Sequence, residues 1–152
     1  MLIGKDPVYI DKVEGDGFVR FATIIGQTLP LYASGVGKAL AMGMDDDELR
    51  SMVGEQLQPL TSKSFRTIDE LLEDVRLARK MGYAVEDEQM EERIRCIGAP
   101  VRDAAGHIVA AISITSLVHH LPVLKIPEVG QRVANCAAKI SEELGWHAEE
   151  TK

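Results

Sequence analysis

Two hydroxyl side chains, Ser113 and Thr115, are spaced so that they could bind one small polar ligand. They lie two residues apart in the apolar run "HIVAAISIT". If this run is a β-strand, residues at alternate positions point to the same side, so both hydroxyls face one way. Such a pair is arranged to contact a single compact ligand. A sheet face that simply tolerates hydroxyls explains the pair equally well when it is taken alone.

Two further polar residues, Glu86 and Cys96, occupy neighbouring apolar runs. Glu86 ends the run "YAVE", where it could turn inward and hold a ligand hydroxyl or a shared proton. The acidic residues that follow it are typical of a solvated loop, because no glycine folds them around an ion. Cys96 is expected to line a pocket as a weak donor, since a nucleophile would need a base that no histidine recognisably supplies. We expect no metal and no cofactor.

The segment "YASGVGKAL" is a different kind of candidate. A glycine-containing loop that opens a helix presents unpaired backbone amides, and these attract a carboxylate or a phosphate. The spacing of a phosphate loop is absent, because Lys38 is followed by Ala39. The alternative is that Gly35 and Gly37 only permit close packing, and the segment taken alone favours that alternative.

Composition excludes several functions. The chain has 152 residues, enough for one domain, and no apolar stretch approaches the roughly 20 residues that span a bilayer. Its 17 basic and 24 acidic residues give a net charge of -7, which repels nucleic-acid phosphates. Cys96 and Cys136 lack the spacing of a metal site or of a secreted disulfide framework, which predicts two buried thiols in a reducing cytoplasm.

The first half of the chain is predicted to form a hairpin and three helices. The runs "VYIDKVE" and "FVRFATIIG" flank a "GDG" turn, which predicts an antiparallel hairpin from Val8 to Ile25. The predicted helices run from Gly35 to about Met42, from a cap at Asp45, and from a Thr67–Glu70 capping box to a stop at Gly82.

Three strands and a last helix complete the predicted scaffold. "YAVED" is one strand, and two more are joined by "DAAG". The face opposite the hydroxyls is expected to be the core, and it carries Ile108, Ala110, Ile112 and Ile114. The closing helix is expected to bury a stripe of Val129, Val133, Cys136, Ala137, Ile140 and Leu144 and to end at Gly145. This order predicts an α+β fold with a mostly antiparallel or mixed sheet flanked by helices.

Four segments in this order carry a family resemblance: "LPLYASGVGKAL", "LTSKSF" before a capped helix, "RKMGYAVEDEQMEERIRCIGAPVRDAAGHIVAAISIT" and "AAKISEELG". From about Val8 to Gly145 the chain resembles the effector-binding domain of the IclR family of bacterial transcription regulators. The resemblance implies a GAF-like sensor domain for a small organic acid, within a homodimer or homotetramer. Regulators of this family also have an N-terminal winged helix-turn-helix domain, which nothing in this chain matches. We therefore expect residues 1–152 to be an isolated C-terminal domain, for which DNA is a partner only through the missing domain.

The resemblance also implies a set of binding residues. The ligand carboxylate would lie against Gly35 and Val36. Opposing polar contacts would come from Glu86, Cys96, Ser113 and Thr115, and apolar walls from Phe21, Leu29 and Ile94. Members that bind very small acids commonly have Asp, Ser and Ala where this sequence has Glu86, Thr115 and Val36. Each difference adds carbon atoms, and one methylene changes ligand choice by about 1 to 3 kcal/mol.

Two other functions remain open from the sequence. One is a cysteine-dependent enzyme with Cys96 as nucleophile, which predicts a thiol of depressed pKa. The other is a module that only mediates oligomerisation, for which Ser113 and Thr115 would be dispensable. The regulator hypothesis predicts instead a 2-keto acid or a sugar acid as effector, one that modulates DNA binding by shifting a conformational population.

Overall fold

A computed structural model describes residues 1–16 and 20–147 as an α+β fold, which confirms the predicted class. A 3₁₀ turn, Val123–Lys125, precedes the last helix. The elements in chain order are β1 Leu2–Ile3, β2 Asp6–Pro7, α1 Gly35–Ala41, α2 Asp46–Val53, α3 Ile68–Met81, β3 Ala84–Asp87, β4 Ile94–Arg102, β5 Ile108–Leu117 and α4 Ile126–Glu143.

The first three helices begin where the sequence predicts, and the predicted ends of α1 and α3 are also found. The Asp45 carboxylate accepts the amide of Glu48 at 2.8 Å, and Thr67 and Glu70 form the reciprocal capping box. Helix α3 ends at Gly82, whose φ of 82° suits a residue without a Cβ. These local signals need no tertiary contact to act, so the predicted boundaries are confirmed.

The main sheet is antiparallel, in the order β3-β4-β5, and it is covered on both faces. The β4–β5 turn is held by the Asp103 carboxylate, which accepts the amides of Ala105 and His107 at 3.0 Å each. Helices α1 and α3 pack in an apolar cluster with Ala84 and Ala111, and α4 packs in a second cluster with Ile97 and Val101. Of the described helices, none combines the length and apolarity that a membrane crossing requires.

The predicted hairpin from Val8 to Ile25 is wrong in the described residues. Segments 8–16 and 20–28 form no strand ladder, and a single bridge joins Val8 to Thr28. The Lys12 ammonium donates to the carbonyl oxygens of Phe21 and Thr23 instead, at 2.9 and 3.2 Å. Val13, Ile24 and Ile25 are exposed, and segments that bury so few apolar side chains have a weakly specified register. Residues 17–19, within the predicted hairpin, lie outside the described residues.

The apolar face predicted for β5 is divided between the two sides of the sheet. The register shifts between Val101 and Arg102, so that Val101 pairs with Ala110 but Arg102 pairs with Ile108. One extra residue in β5 therefore turns Ile108 toward the α1 and α3 cluster, while Ala110 packs in the α4 cluster. Ile114, at the far end of the same predicted face, is 38% exposed.

The buried face of α4 also differs from the predicted stripe. Cys136, Ile140 and Leu144 are exposed, so the prediction of two buried thiols is wrong for Cys136. Small residues face the sheet because the Tyr83 ring lies where any side chain at position 130 would project. The α4 residues that are buried are Gly130, Val133, Ala137 and Ser141.

Candidate effector-binding site

Three polar side chains lie side by side across the main sheet. Glu86 on β3 pairs with Cys96 on β4, and Cys96 pairs with Thr115 on β5. Paired residues of an antiparallel sheet project from the same face, so these three form one continuous polar row. The Cys96 Sγ and the Thr115 Oγ1 are 3.3 Å apart, within hydrogen-bonding distance. We call Glu86, Cys96 and Thr115 the polar row.

The polar row faces a cavity of about 230 Å³. The segments 8–16 and 20–29, which we call the N-terminal arm, supply much of the remaining wall. The lining residues are Tyr9, Phe21, Ala22, Thr23, Gln27, Leu29, Glu86, Met90, Glu91, Ile94, Cys96 and Thr115. Six of the residues that the sequence analysis names as binding residues are therefore brought together here, and Gly35, Val36 and Ser113 are not among the lining residues.

The two glycines of α1 are required by packing. A Cβ on Gly35 would lie 2.9 Å from the Cβ of Cys96, and a Cβ on Gly98 would collide with the carbonyl oxygen of Gly35. Gly37 is equally confined, by Leu31 and Ser34. The start of α1 thus rests directly on β4, next to the polar row.

Ser113 lies two residue pairs further along the sheet than Thr115. It is paired with Gly98, at the point where α1 contacts β4. Its side chain is on the same face as Thr115. The predicted common orientation of the two hydroxyls is therefore present, and the cavity contacts one of them.

Glu86 is buried, with 1% of its surface exposed, and is held by its own loop. Its Oε1 accepts the amides of Gln89 at 2.6 Å and of Met90 at 3.1 Å. Burial raises the pKa of Glu86, while the two amides, the Cys96 thiol and the charge of Lys38 lower it. The structure therefore places an oriented carboxyl group against the cavity.

The sequence analysis missed the role of Lys38. This fully buried lysine donates to Asp74 Oδ2 at 2.9 Å, to Gln89 Oε1 at 2.7 Å and to the carbonyl oxygen of Val85. All three ammonium protons are used, so Lys38 connects α1 to α3 and to the loop that holds Glu86. A lone lysine in a helix otherwise made of small and apolar residues is the signal that could have found it.

The environment of Cys96 is unfavourable for a nucleophile. Burial, and then the charge of Glu86, raises the pKa of Cys96 to about 12. A nucleophilic cysteine requires the opposite shift. The cavity lining contains no histidine to act as its base.

A second cavity, of about 210 Å³, lies at the other end of β4. It is formed between the end of α1, α3 and α4. Its lining includes Met42, Arg79, Pro100, Arg102, Ser141 and Trp146. Within the described ranges, no group of three or more His, Cys, Asp or Glu side chains is placed to hold a metal ion.

Comparison with known proteins defines the class of protein. The sequence model described as "Bacterial transcriptional regulator IclR C-terminal" matches residues 1–142. The chain belongs to the IclR family, as its C-terminal domain, and so to a family of transcription regulators rather than enzymes.

Individual relatives agree with this assignment. The "HTH-type transcriptional repressor AllR" of Escherichia coli K12 is 35% identical over 146 residues, which are 95% of this chain and 54% of the relative. This chain thus spans about half the length of that protein. The crystal structure of the Agobacterium tumefaciens repressor BlcR is similar with a TM-score of 0.89 and 32% identity, over 97% of this chain and 58% of that one. The C-terminal domain of E. coli KdgR gives a TM-score of 0.81 and 29% identity, over 95% and 84%.

Proposed function

We propose that residues 1–152 form the effector-binding domain of a cytoplasmic IclR-type regulator, and that the cavity beside the polar row binds a small organic acid. Binding would modulate the affinity of a separate N-terminal winged helix-turn-helix domain for DNA, within a homo-oligomer. The observation that carries this proposal is the polar row, which faces a cavity of about 230 Å³. That volume is below the roughly 300–1,000 Å³ of pockets for drug-sized ligands, and suits a compact molecule.

The proposed contacts combine two kinds of group. The carboxylate of the effector would lie toward Gly35 and Val36, at the opening of α1, and its other polar atoms would meet the polar row and Ser113. Phe21, Leu29 and Ile94 would supply apolar walls. Three of the proposed contact residues, Glu86, Thr115 and Val36, differ from those common in members for very small acids, and these differences in shape would set the choice of ligand.

An effector alters DNA binding only if its affinity differs between two arrangements of the regulator. Helix α1 is the element through which the cavity is proposed to act. Gly35 touches Cys96 beside the cavity, and Lys38, one turn later, is bonded to Asp74 on α3. A shift of α1 on binding would therefore reach α3 directly. The C-terminal helix α4, which packs on β4, is the alternative route.

Calorimetric titration against 2-keto acids, sugar acids and hydroxybenzoates tests the proposal. We expect heat of binding for at least one class, and loss of that heat when Cys96 and Thr115 are both replaced by valine. The control variant is Ser116→Ala, whose side chain lies on the opposite face of β5. It should bind the same acid with the wild-type affinity. Absence of heat for every acid in the panel would contradict the proposal.

A further inference from the structure

The two carboxylate oxygens of Glu86 have different surroundings. Oε1 receives both loop amides, from Gln89 and Met90. In the part of the chain that the structure describes, neither a backbone amide nor a cationic side chain donates to Oε2. Glu86 nevertheless lines the cavity. Oε2 is therefore the acceptor that this side chain offers to a ligand.

The cavity lining contains no group that would neutralise this acceptor. Among the residues that the structure describes, no lysine, arginine or histidine lines the cavity. Lys38 is the buried ammonium group on this side of the sheet, and its three protons go to Asp74, Gln89 and Val85. Tyr9 and Glu91 are the other titratable side chains of the lining besides Cys96, and neither supplies a positive charge.

Cys96 and Thr115 have one proton each, and both protons have acceptors inside the polar row. The Cys96 thiol hydrogen-bonds the Glu86 carboxylate, which lowers the pKa of Glu86 and raises that of Cys96. The Thr115 hydroxyl can then donate to Sγ, 3.3 Å away. The polar row is left with acceptors, so a complementary ligand brings a donor.

We propose that the cavity selects small acids that carry an O–H or N–H donor beside the carboxylate, hydroxy acids and sugar acids above all, over keto acids with the same carbon skeleton. This inference rests on the proposed function. A hydroxyl group supplies both a donor and an acceptor, whereas a keto oxygen only accepts. A keto oxygen against Oε2 would leave two acceptors facing each other, and burying an acceptor without a hydrogen bond is costly.

Paired ligands give the test. Because burial raises the pKa of Glu86, calorimetry at an alkaline pH of about 8, where carboxyl groups ionise more fully, would compare lactate with pyruvate and 2-hydroxybutyrate with 2-ketobutyrate. We expect the hydroxy acid of at least one pair to bind tenfold or more tightly than its keto partner, which is equivalent to about 1.4 kcal/mol. 2-Methoxypropionate keeps the oxygen of lactate but lacks the proton, and should bind as weakly as pyruvate.

The variant Glu86→Gln sharpens the test. The glutamine oxygen can still accept the hydrogen bonds of the two loop amides. Its NH₂ group takes the place of Oε2, so the ligand meets a donor where the wild type has an acceptor. The preference should then reverse toward the keto acid. Glu92→Gln removes the same charge from an exposed residue outside the cavity lining and should keep the wild-type preference.

The outcomes separate the two proposals. Equal or tighter binding of the keto acids by the wild type, or an unchanged preference in a folded Glu86→Gln variant, would overturn this inference and leave the proposed function standing. If none of the acids binds, the proposed function fails and takes the inference with it. If Glu86→Gln does not fold, the comparison of lactate, pyruvate and 2-methoxypropionate on the wild type still decides.

Discussion

The two cavities of this domain have nearly the same volume, about 230 and 210 Å³, but their polar groups differ in how they are bonded. In the second cavity the guanidinium groups are bonded to backbone: Arg79 Nε donates to the carbonyl of Met42 at 3.1 Å, and Arg102 Nη1 to that of Gly106 at 2.8 Å. In the first cavity Glu86 faces the space with one oxygen that no amide holds. Volume alone therefore does not mark the candidate site, whereas available polar groups do.

Both cavities depend on where α1 meets the sheet. Cys96 lines the first cavity and Pro100 lines the second. Between them, Gly98 is in close contact with the backbone of α1 at Gly35. The contact at Gly98 separates the two spaces. Changes on each side of this contact should therefore have different consequences, and one labelling experiment and three substitutions test the comparison.

The largest expected difference concerns the two thiols. Because the pKa of Cys96 is raised to about 12, its thiolate fraction grows tenfold per pH unit up to that value and stays minute near pH 8. Iodoacetamide should modify the exposed Cys136 on the order of 1,000-fold faster than Cys96. Mass spectrometry of timed digests measures both rates. Fast modification of Cys96 at neutral pH would contradict the raised pKa of its thiol.

Gly98→Val should cost about 3 kcal/mol of unfolding free energy, because its side chain would push α1 away from β4. Chemical denaturation monitored by circular dichroism gives the value. Gly15→Val is the matched control, since a Cβ at Gly15 has no atom within 4 Å. A loss below about 0.5 kcal/mol at position 98 would show that α1 is not tightly seated there.

Ser141→Ala should destabilise the domain by about 1 to 3 kcal/mol without changing the affinity for any acid that binds. The Ser141 hydroxyl accepts the amide of Arg102 at 2.9 Å and donates to the carbonyl of Ala137 at 2.8 Å, so its loss leaves a partly buried amide without its acceptor. Thermal unfolding and calorimetry measure the two quantities. The exposed Ser51→Ala on α2 serves as the control. A weakened affinity would show that a change at the second cavity affects binding in the first.

Thr115→Val should have the smallest effect on stability and a selective effect on binding. The hydrogen bond to Cys96 is weak because a thiol is a weak donor and a weak acceptor, so we expect a stability change within about 0.5 kcal/mol. Affinity for an acid effector should fall about twofold to tenfold, the value of one neutral hydrogen bond. Thr115→Ser, which retains the hydroxyl, should recover most of it. Unchanged binding in the valine variant would show that the Thr115 hydroxyl makes no hydrogen bond to the ligand.

The parts of the fold that were predicted correctly rest on local chemistry. The caps at Asp45 and Thr67, the stop at Gly82 and the Asp103 turn each involve residues within a few positions of one another. The incorrect parts depended on distant partners. The buried side of α4 contacts the Tyr83 ring through Gly130 and the amide of Arg102 through Ser141. The side chains of Cys136 and Ile140 therefore point to solvent.

The candidate site shows the same division. Its residue types were recognisable, because Glu86, Cys96 and Thr115 interrupt apolar runs. Lys38 was missed because its three partners come from α3, from β3 and from the loop after it. The contributions of Tyr9 and Thr23 could not be predicted either, since the arm that carries them was expected to be a regular hairpin.

By itself, the sequence determined the helix limits, the β4–β5 hairpin and the set of polar residues available to a ligand, because capping, turn formation and strand alternation act over a few neighbouring positions. Only the tertiary structure decided which of those polar groups retain an unused hydrogen bond. The availability of these groups depends on strand register, on a one-residue bulge in β5 and on the contact between α1 and Gly98. Each of these is a contact between residues far apart in the chain, whose outcome is set by packing rather than by local preference.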